Sequence, residues 1–183
     1  ALHLSVAAGI PSDSIARWLG SERIVRSMPN TPALIGLGMT GLYARGGVTA
    51  QDRALIESVT ATMGESLWVA REEQLDAVTA LSGSGPAYVF YFLEAMTQAG
   101  TEMGLPAEQA YKLAVETFRG ASALARASSE PPEVLRQRVT SKGGTTYAAI
   151  TSMEESQVKA LFGQALHAAE RRARELGVEF GKD

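Results

Sequence analysis

The chain has 183 residues, 45% of them hydrophobic, with 17 Lys and Arg against 20 Asp and Glu and a net charge of −3. That balance suits one or two globular domains and offers no basic surface for nucleic acid. Cysteine is absent and His3 and His167 are the only histidines, so disulfides, thiol catalysis and cysteine-ligated metals are excluded, and no metal site is expected.

Leu2–Ala8 reads as an apolar strand ending at Gly9. No cap or turn precedes it, which is the expectation for the C-terminal part of a longer protein. Ser12 or Asp13 is the candidate cap of a helix to Leu19, with Gly20 as its stop. Arg23–Met28 is a second strand, broken by the Pro29–Pro32 turn. Met39–Ala44 is a third. Thr49 caps a helix over Ala50–Met63, and Glu65–Ala70 is a fourth strand. Strands alternating with helices are the pattern of an α/β sheet, and here only part of one.

From Glu72 onward the pattern is helical alone. Gln74–Leu81 is a short helix ending in Ser82-Gly83-Ser84-Gly85. Pro86 sits in the first turn of a helix to Met103, whose Ala87–Leu93 run is apolar on every side and demands full cover. That run is the longest apolar one and is far below the length of a membrane span, so no membrane partner is expected; no basic-then-apolar leader opens the chain either. Pro106 opens a helix to Ala127, with Tyr111, Val115, Phe118, Ser122 and Ala125 on one face. Ser128–Pro132 is a linker and Glu133–Arg138 a brief helix. Tyr147–Glu155 is helical, and a last helix, Ser156–Leu176, is expected to bury Val158, Leu161, Phe162, Ala165 and Ala169 and to stop at Gly177. The fold class is therefore α/β followed by all-α, with residues 1–70 and 71–183 as the two domains.

Val139–Thr146, V-T-S-K-G-G-T-T, is the most informative stretch. Its paired glycines let backbone N–H groups converge, and the helix after them adds free N–H groups and a positive dipole end. Ser141, Thr145 and Thr146 add hydroxyls. Two readings stand: a site for a small anion, or a plain helix start after a tight turn. Gly36–Gly41 matches G-x-G-x-x-G but runs into a strand rather than a helix, so it is discounted as a phosphate loop. Met28–Pro32 lies at a strand's carboxyl end, where α/β sheets gather ligands. Its alternative is a rigid turn with Asn30 bonding its own backbone. Ala7-Ala8-Gly9 occupies the same kind of end, with side chains small enough to admit a flat ring. Glu130 and Glu133 read as linker and helix-start charges, and His167 as a surface or interface residue.

Taken together, SVAAGI, RSMPNTPALIGLG, ALSGSGPAYVFYFLEAM and VTSKGGTTYAAI closely resemble the pyrroline-5-carboxylate reductase family, in its order and spacing, over essentially the whole chain. The resemblance implies a cytoplasmic enzyme with a Rossmann domain for NADPH or NADH and a helical domain that interlocks into a homodimer or larger homo-oligomer. It implies reduction of 1-pyrroline-5-carboxylate to L-proline. Carried over, Val139, Ser141, Gly143, Gly144, Thr145 and Thr146 bind the substrate. Thr146, the catalytic candidate, bonds the ring nitrogen. Ala7, Ala8, Gly9, Met28 and Asn30 line the nicotinamide and ribose end of the cofactor.

Two departures stand out. Lys142 replaces the family's usual proline, freeing the backbone and placing a cation by the loop or in solvent. The family's N-terminal glycine fingerprint is not among these residues, so the 183-residue chain is expected to be inactive alone. Rival readings are a non-catalytic dimerisation or regulatory module, and a related reductase of another carboxylate.

Overall fold

The computed structural model describes residues 1–181. Four strands, β1 (His3–Ser5), β2 (Ile24–Met28), β3 (Gly38–Ala44) and β4 (Gly64–Trp68), form one sheet in sequence order. β1 runs parallel to β2, β2 antiparallel to β3, and β3 parallel to β4. Helices α1 (Ser12–Leu19) and α2 (Ala50–Thr60) belong to this sheet. Then come α3 (Gln74–Val78), α4 (Gly85–Glu102), α5 (Ala107–Ala127), α6 (Pro132–Arg138), α7 (Thr145–Glu155) and α8 (Val158–Phe180). This is the expected α/β sheet followed by helices. Among the described residues no helix is long and apolar enough to cross a membrane.

The core follows the strand period of two. Ile24 and Val25 are both fully buried and point to opposite faces of β2. Ile24 packs with Ile15 and Ala16 of α1; Val25 packs with Leu42 and with Ile56 of α2. Burying each such side chain stabilises by about 1.5–3 kcal/mol. β1 is shorter than the expected Leu2–Ala8 strand, because its ladder with β2 ends at Ser5 opposite Arg26.

The helix ends show which local signals hold. Thr49 caps α2 as expected, its side chain accepting the Asp52 N–H while Asp52 accepts the Thr49 N–H. α2 stops at Thr60, earlier than expected, because its last turn tightens into Met63 N–H to Thr60 O. α1 differs: its cap position is Pro11, with no side-chain cap, and the Ser12 N–H is taken by Glu72, 60 residues on, at 2.6 Å. α8 runs through Gly177 to Phe180, three residues beyond its expected stop. A Cβ on Gly9 would stand 3.1 Å from both Leu176 Cβ and Phe180 Cδ2, so packing over Gly9 carries the helix past the glycine.

Two compact units emerge: Ala1–Ala87 with the described residues from Gln164 onward, and Tyr88–Gly163. The change from strands to helices falls near Trp68, whereas the units divide at Ala87. α3 stays with the sheet because Val78 fills the space above Gly41, where a Cβ would meet its Cγ1 at 2.6 Å. In the second unit α4 and α5 meet at small residues, buried Gly100 against Ala110, with Ala114 also buried. Tyr111 lies 55% exposed, so the expected face of α5 is shifted toward these alanines. Of the residues expected to be buried on α8, Val158 and Ala169 are half-buried, and Leu161, Phe162 and Ala165 are exposed. Phe162 still meets Tyr88 and Phe92 edge-on, with ring centres 5.7 and 5.6 Å away.

Candidate functional site

The glycine turn is built between α6 and α7. Thr140 closes α6, its hydroxyl donating to Arg136 O at 2.6 Å and its N–H to Gln137 O at 3.0 Å. Lys142 and Gly143 are the middle residues of a turn closed by Gly144 N–H to Ser141 O at 3.0 Å. Gly143 has φ +75°, a left-handed conformation that a side chain disfavours. Gly144 is the cap of α7 and carries no side-chain cap hydrogen bond. The first bond to that cap comes from the Ala148 N–H, which leaves the N–H groups of Thr145, Thr146 and Tyr147 outside the helix ladder.

Ser141 completes the arrangement. A Cβ on Gly144 would fall 2.7 Å from Ser141 Oγ, so the hydroxyl folds over the start of the helix. Ser141, Thr145, Lys142 and Gly143 are exposed; Gly144 and Thr146 are half-buried. Val139 is 69% exposed and contributes backbone rather than packing. Nearby Arg138 pairs with Glu130 at 2.6 Å and Arg136 with Glu154 at 3.5 Å. Lys142 makes no ion pair among the described residues. The turn thus offers hydroxyl and amide donors together, the equipment to hold a carboxylate or phosphate oxygen.

A second set lies in the sheet unit. Ala7, Ala8, Gly9 and Met28 come together around a cavity of about 30 Å³, with Arg26 and Asp76 also in its wall. That volume holds a water molecule and no ring. The outer side of the turn is different: Ala7 and Ala8 are exposed and present only methyl groups. Asp76 is half-buried, and burial pushes its carboxyl above the ordinary range against the pull of Arg26 and Arg174.

Asn30 stands apart from that cavity. Its Oδ1 accepts the Met39 N–H at 2.9 Å, and its Nδ2 donates to Ser82 O and Ser82 Oγ, both at 3.2 Å. Its amide therefore ties the Pro29–Pro32 turn to β3 and to Ser82, a third use beside a free amide or a bond to its own backbone. Ser82 lies in a π-helical turn, Thr79–Gly83, which overlaps the end of the expected Gln74–Leu81 helix. A Cβ on Gly83 would sit 2.6 Å from Met28 Cε, so glycine lets this turn close on Met28. Sequence reasoning missed Asp76, Glu72 and Arg26. Their partners lie tens of residues away, beyond any local spacing rule.

Residues 72–176 match the family of pyrroline-5-carboxylate reductase dimerisation domains. A pyrroline-5-carboxylate reductase of Pseudomonas aeruginosa is 47% identical over 182 residues, covering 99% of this chain and 67% of the relative. The chain belongs to the pyrroline-5-carboxylate reductase family. A pea member is 40% identical, over 96% of this chain and 64% of its own length. The solved reductase of Coxiella burnetii superposes with a TM-score of 0.91 at 42% identity, over 94% of this chain and 64% of that one. A Plasmodium falciparum reductase with NADP bound gives 0.88 at 30% identity, over 96% of this chain and 71% of that one. The chain spans about two thirds of the length of these pyrroline-5-carboxylate reductases.

Proposed function

We propose that this chain supplies the substrate-carboxylate site and the nicotinamide end of the cofactor site for an NAD(P)H-dependent reduction of 1-pyrroline-5-carboxylate to L-proline, the last step of proline synthesis. The observation that carries the reading is the uncapped start of α7, with Ser141 Oγ folded over Gly144. A five-membered ring with one carboxylate matches those donors in size and charge. Membership of the reductase family supports the substrate, and the NADP in the Plasmodium falciparum relative supports the cofactor.

The chain's own residues have the following tasks. Ser141 Oγ and the free N–H groups near Gly144 and Thr145 hold the carboxylate. The Thr146 hydroxyl bonds the ring nitrogen and keeps the ring in one orientation. A threonine hydroxyl is a poor acid, so water or the already protonated iminium supplies the proton. Most of the rate arises from placing the imine carbon for attack. When bound, the dinucleotide supplies the hydride. The residues present fit one end of it: the exposed methyl groups of Ala7 and Ala8 leave room for a flat ring. The G-x-G-x-x-G stretch Gly36–Gly41 runs into β3 rather than a helix and so makes no pyrophosphate site, and the chain alone is expected to turn over little or no substrate.

Self-association belongs to the same reading. Phe90, Tyr91, Leu113, Leu124 and Leu161 are each more than half exposed, in a segment matched to a dimerisation family. We assign that surface to a second copy, in a homodimer or larger homo-oligomer.

The test is turnover of pyrroline-5-carboxylate with NADPH and with NADH, by the complete gene product and by this chain alone. The complete product should be active and the chain nearly inactive. No turnover by the complete product with either cofactor would overturn the reading.

A further inference from the structure

We propose that Glu72 is a positioning residue for the nicotinamide end of the cofactor site, one carboxylate fastening the start of α1, just past the turn after β1, to Arg26 in β2. The inference rests on the reductase reading above.

The Ala7–Gly9 turn is held by packing against Leu176 and Phe180 and by few polar ties. Its ladder to β2 ends at Ser5, opposite Arg26. One side-chain bond adds to the ladder there, Ser27 Oγ donating to Ser5 O at 3.1 Å. Beyond Ser5 the Ala7 N–H bonds only the neighbouring Ser5 Oγ, at 3.3 Å, and Gly9 and Ile10 are held by packing; the next long-range hydrogen bonds come where α1 begins, at Ser12. The Ser12 N–H donates to Glu72 Oε1 at 2.6 Å, and the Ser12 hydroxyl donates to Glu72 Oε2. Arg26 Nη1 donates to the same Oε1 at 2.7 Å. The side chains of Arg26 and Glu72 are 15% and 21% exposed. Charge-assisted bonds sheltered from water in this way are stronger than neutral ones. The carboxylate also lies at the positive end of α1, which has no side-chain cap of its own.

Arg26 carries the link into the cofactor region. It lines the same small cavity as Ala7, Ala8, Gly9 and Met28. Removing the carboxylate leaves the Ser12 N–H, the Ser12 hydroxyl and the Arg26 guanidinium without their shared acceptor. The turn that presents Ala7 and Ala8 then loses its far anchor, and the surface for a flat ring loosens. The carboxylate site is assigned to other residues, at the glycine turn before α7, so carboxylate binding should stay as it was.

The experiment uses the complete gene product and NADPH, with binding read from the fluorescence of the dinucleotide. Glu72→Ala should raise the Kd for NADPH about tenfold, the order seen when a supporting group is removed. The KM for pyrroline-5-carboxylate should not change. Glu72→Gln keeps an acceptor for the Ser12 N–H and should recover binding to within about threefold. Hydrogen exchange at the Ala8 and Gly9 amides should quicken in Glu72→Ala without cofactor. Asp52→Asn, which removes a comparable ion pair on α2, is the control for general loosening and should leave the Kd unchanged. Should Glu72→Ala fail to fold, Arg26→Met removes one arm of the link and should weaken NADPH binding on its own. An unchanged Kd in the alanine variant, or in Arg26→Met where that one stands in for it, overturns the inference. So does an equal rise in Asp52→Asn. Absence of NADPH binding by the wild-type protein overturns the reductase reading, and this inference falls with it.

Discussion

Arg23 and Asp52 form a two-point ion pair, Nη2 to Oδ1 at 2.6 Å and Nε to Oδ2 at 3.2 Å, and the same carboxylate closes the capping box of α2. The Arg23 guanidinium first, and the Thr49 N–H second, hold the Asp52 carboxyl at about 2, below its ordinary 3.8. A depressed folded-state value means stability that is present above the ordinary value and lost as pH falls toward the folded one. The stability lost in Asp52→Asn should therefore be fully present well above pH 3.8 and fade as pH falls through about 2. Thermal melts of both proteins across that window check it; a difference that persists below it contradicts the assignment. Thr49→Ala, which removes the other half of the box, should cost about 1 kcal/mol.

Thr146→Ala separates orientation from binding. On the proposed reading the hydroxyl bonds the ring nitrogen, and loss of one such bond aligned in the transition state costs ~2–4 kcal/mol. In the complete gene product that is a fall in kcat of roughly 30- to 1,000-fold. Ser141→Ala should instead raise KM for the imine acid and leave kcat nearly alone, because a carboxylate contact is made equally in ground and transition states. Steady-state kinetics decide both, and an unchanged kcat in Thr146→Ala removes that residue from the mechanism.

Gly143→Ala tests the turn itself. A Cβ there meets nothing within 4 Å, so the effect comes from backbone alone. With φ at +75°, alanine should cost about 1–2 kcal/mol. Asn, which visits this region more readily, should cost less. If the turn shapes the carboxylate site, KM should rise in the order Gly, Asn, Ala. An equal KM in all three would separate the turn from binding.

Which parts were legible in the sequence follows from the range of the forces involved. Thr49 as the cap of α2, Gly20 after α1 and Gly143 before α7 are local devices, so spacing reveals them. Ser12 looked like a cap by the same rule, but its N–H goes to a carboxylate 60 residues away. Gly177 looked like a stop, yet Leu176 and Phe180 pack over Gly9 and the helix runs on. Asn30 looked like a ligand or a self-capping turn residue, and long-range partners at Met39 and Ser82 occupy its amide. Periodicity cannot name a partner that distant; it reports only that a polar group needs one.

The apolar run on α4 leads to the last prediction. A helix apolar on every side must be covered on every side. Within one chain Leu93 is buried, but Phe90 and Tyr91 stay 58% and 70% exposed. Phe90 shares a groove with the exposed Tyr111, and large exposed apolar surface of this kind marks an interaction site. Sedimentation should therefore find the protein as a dimer or larger, and joint replacement of Phe90 and Tyr91 by Glu should give a monomer with its helical circular dichroism intact. Loss of helix together with loss of association would show the patch to be part of the chain's own folding. A wild-type protein that stays monomeric at high concentration would leave that surface without its proposed partner.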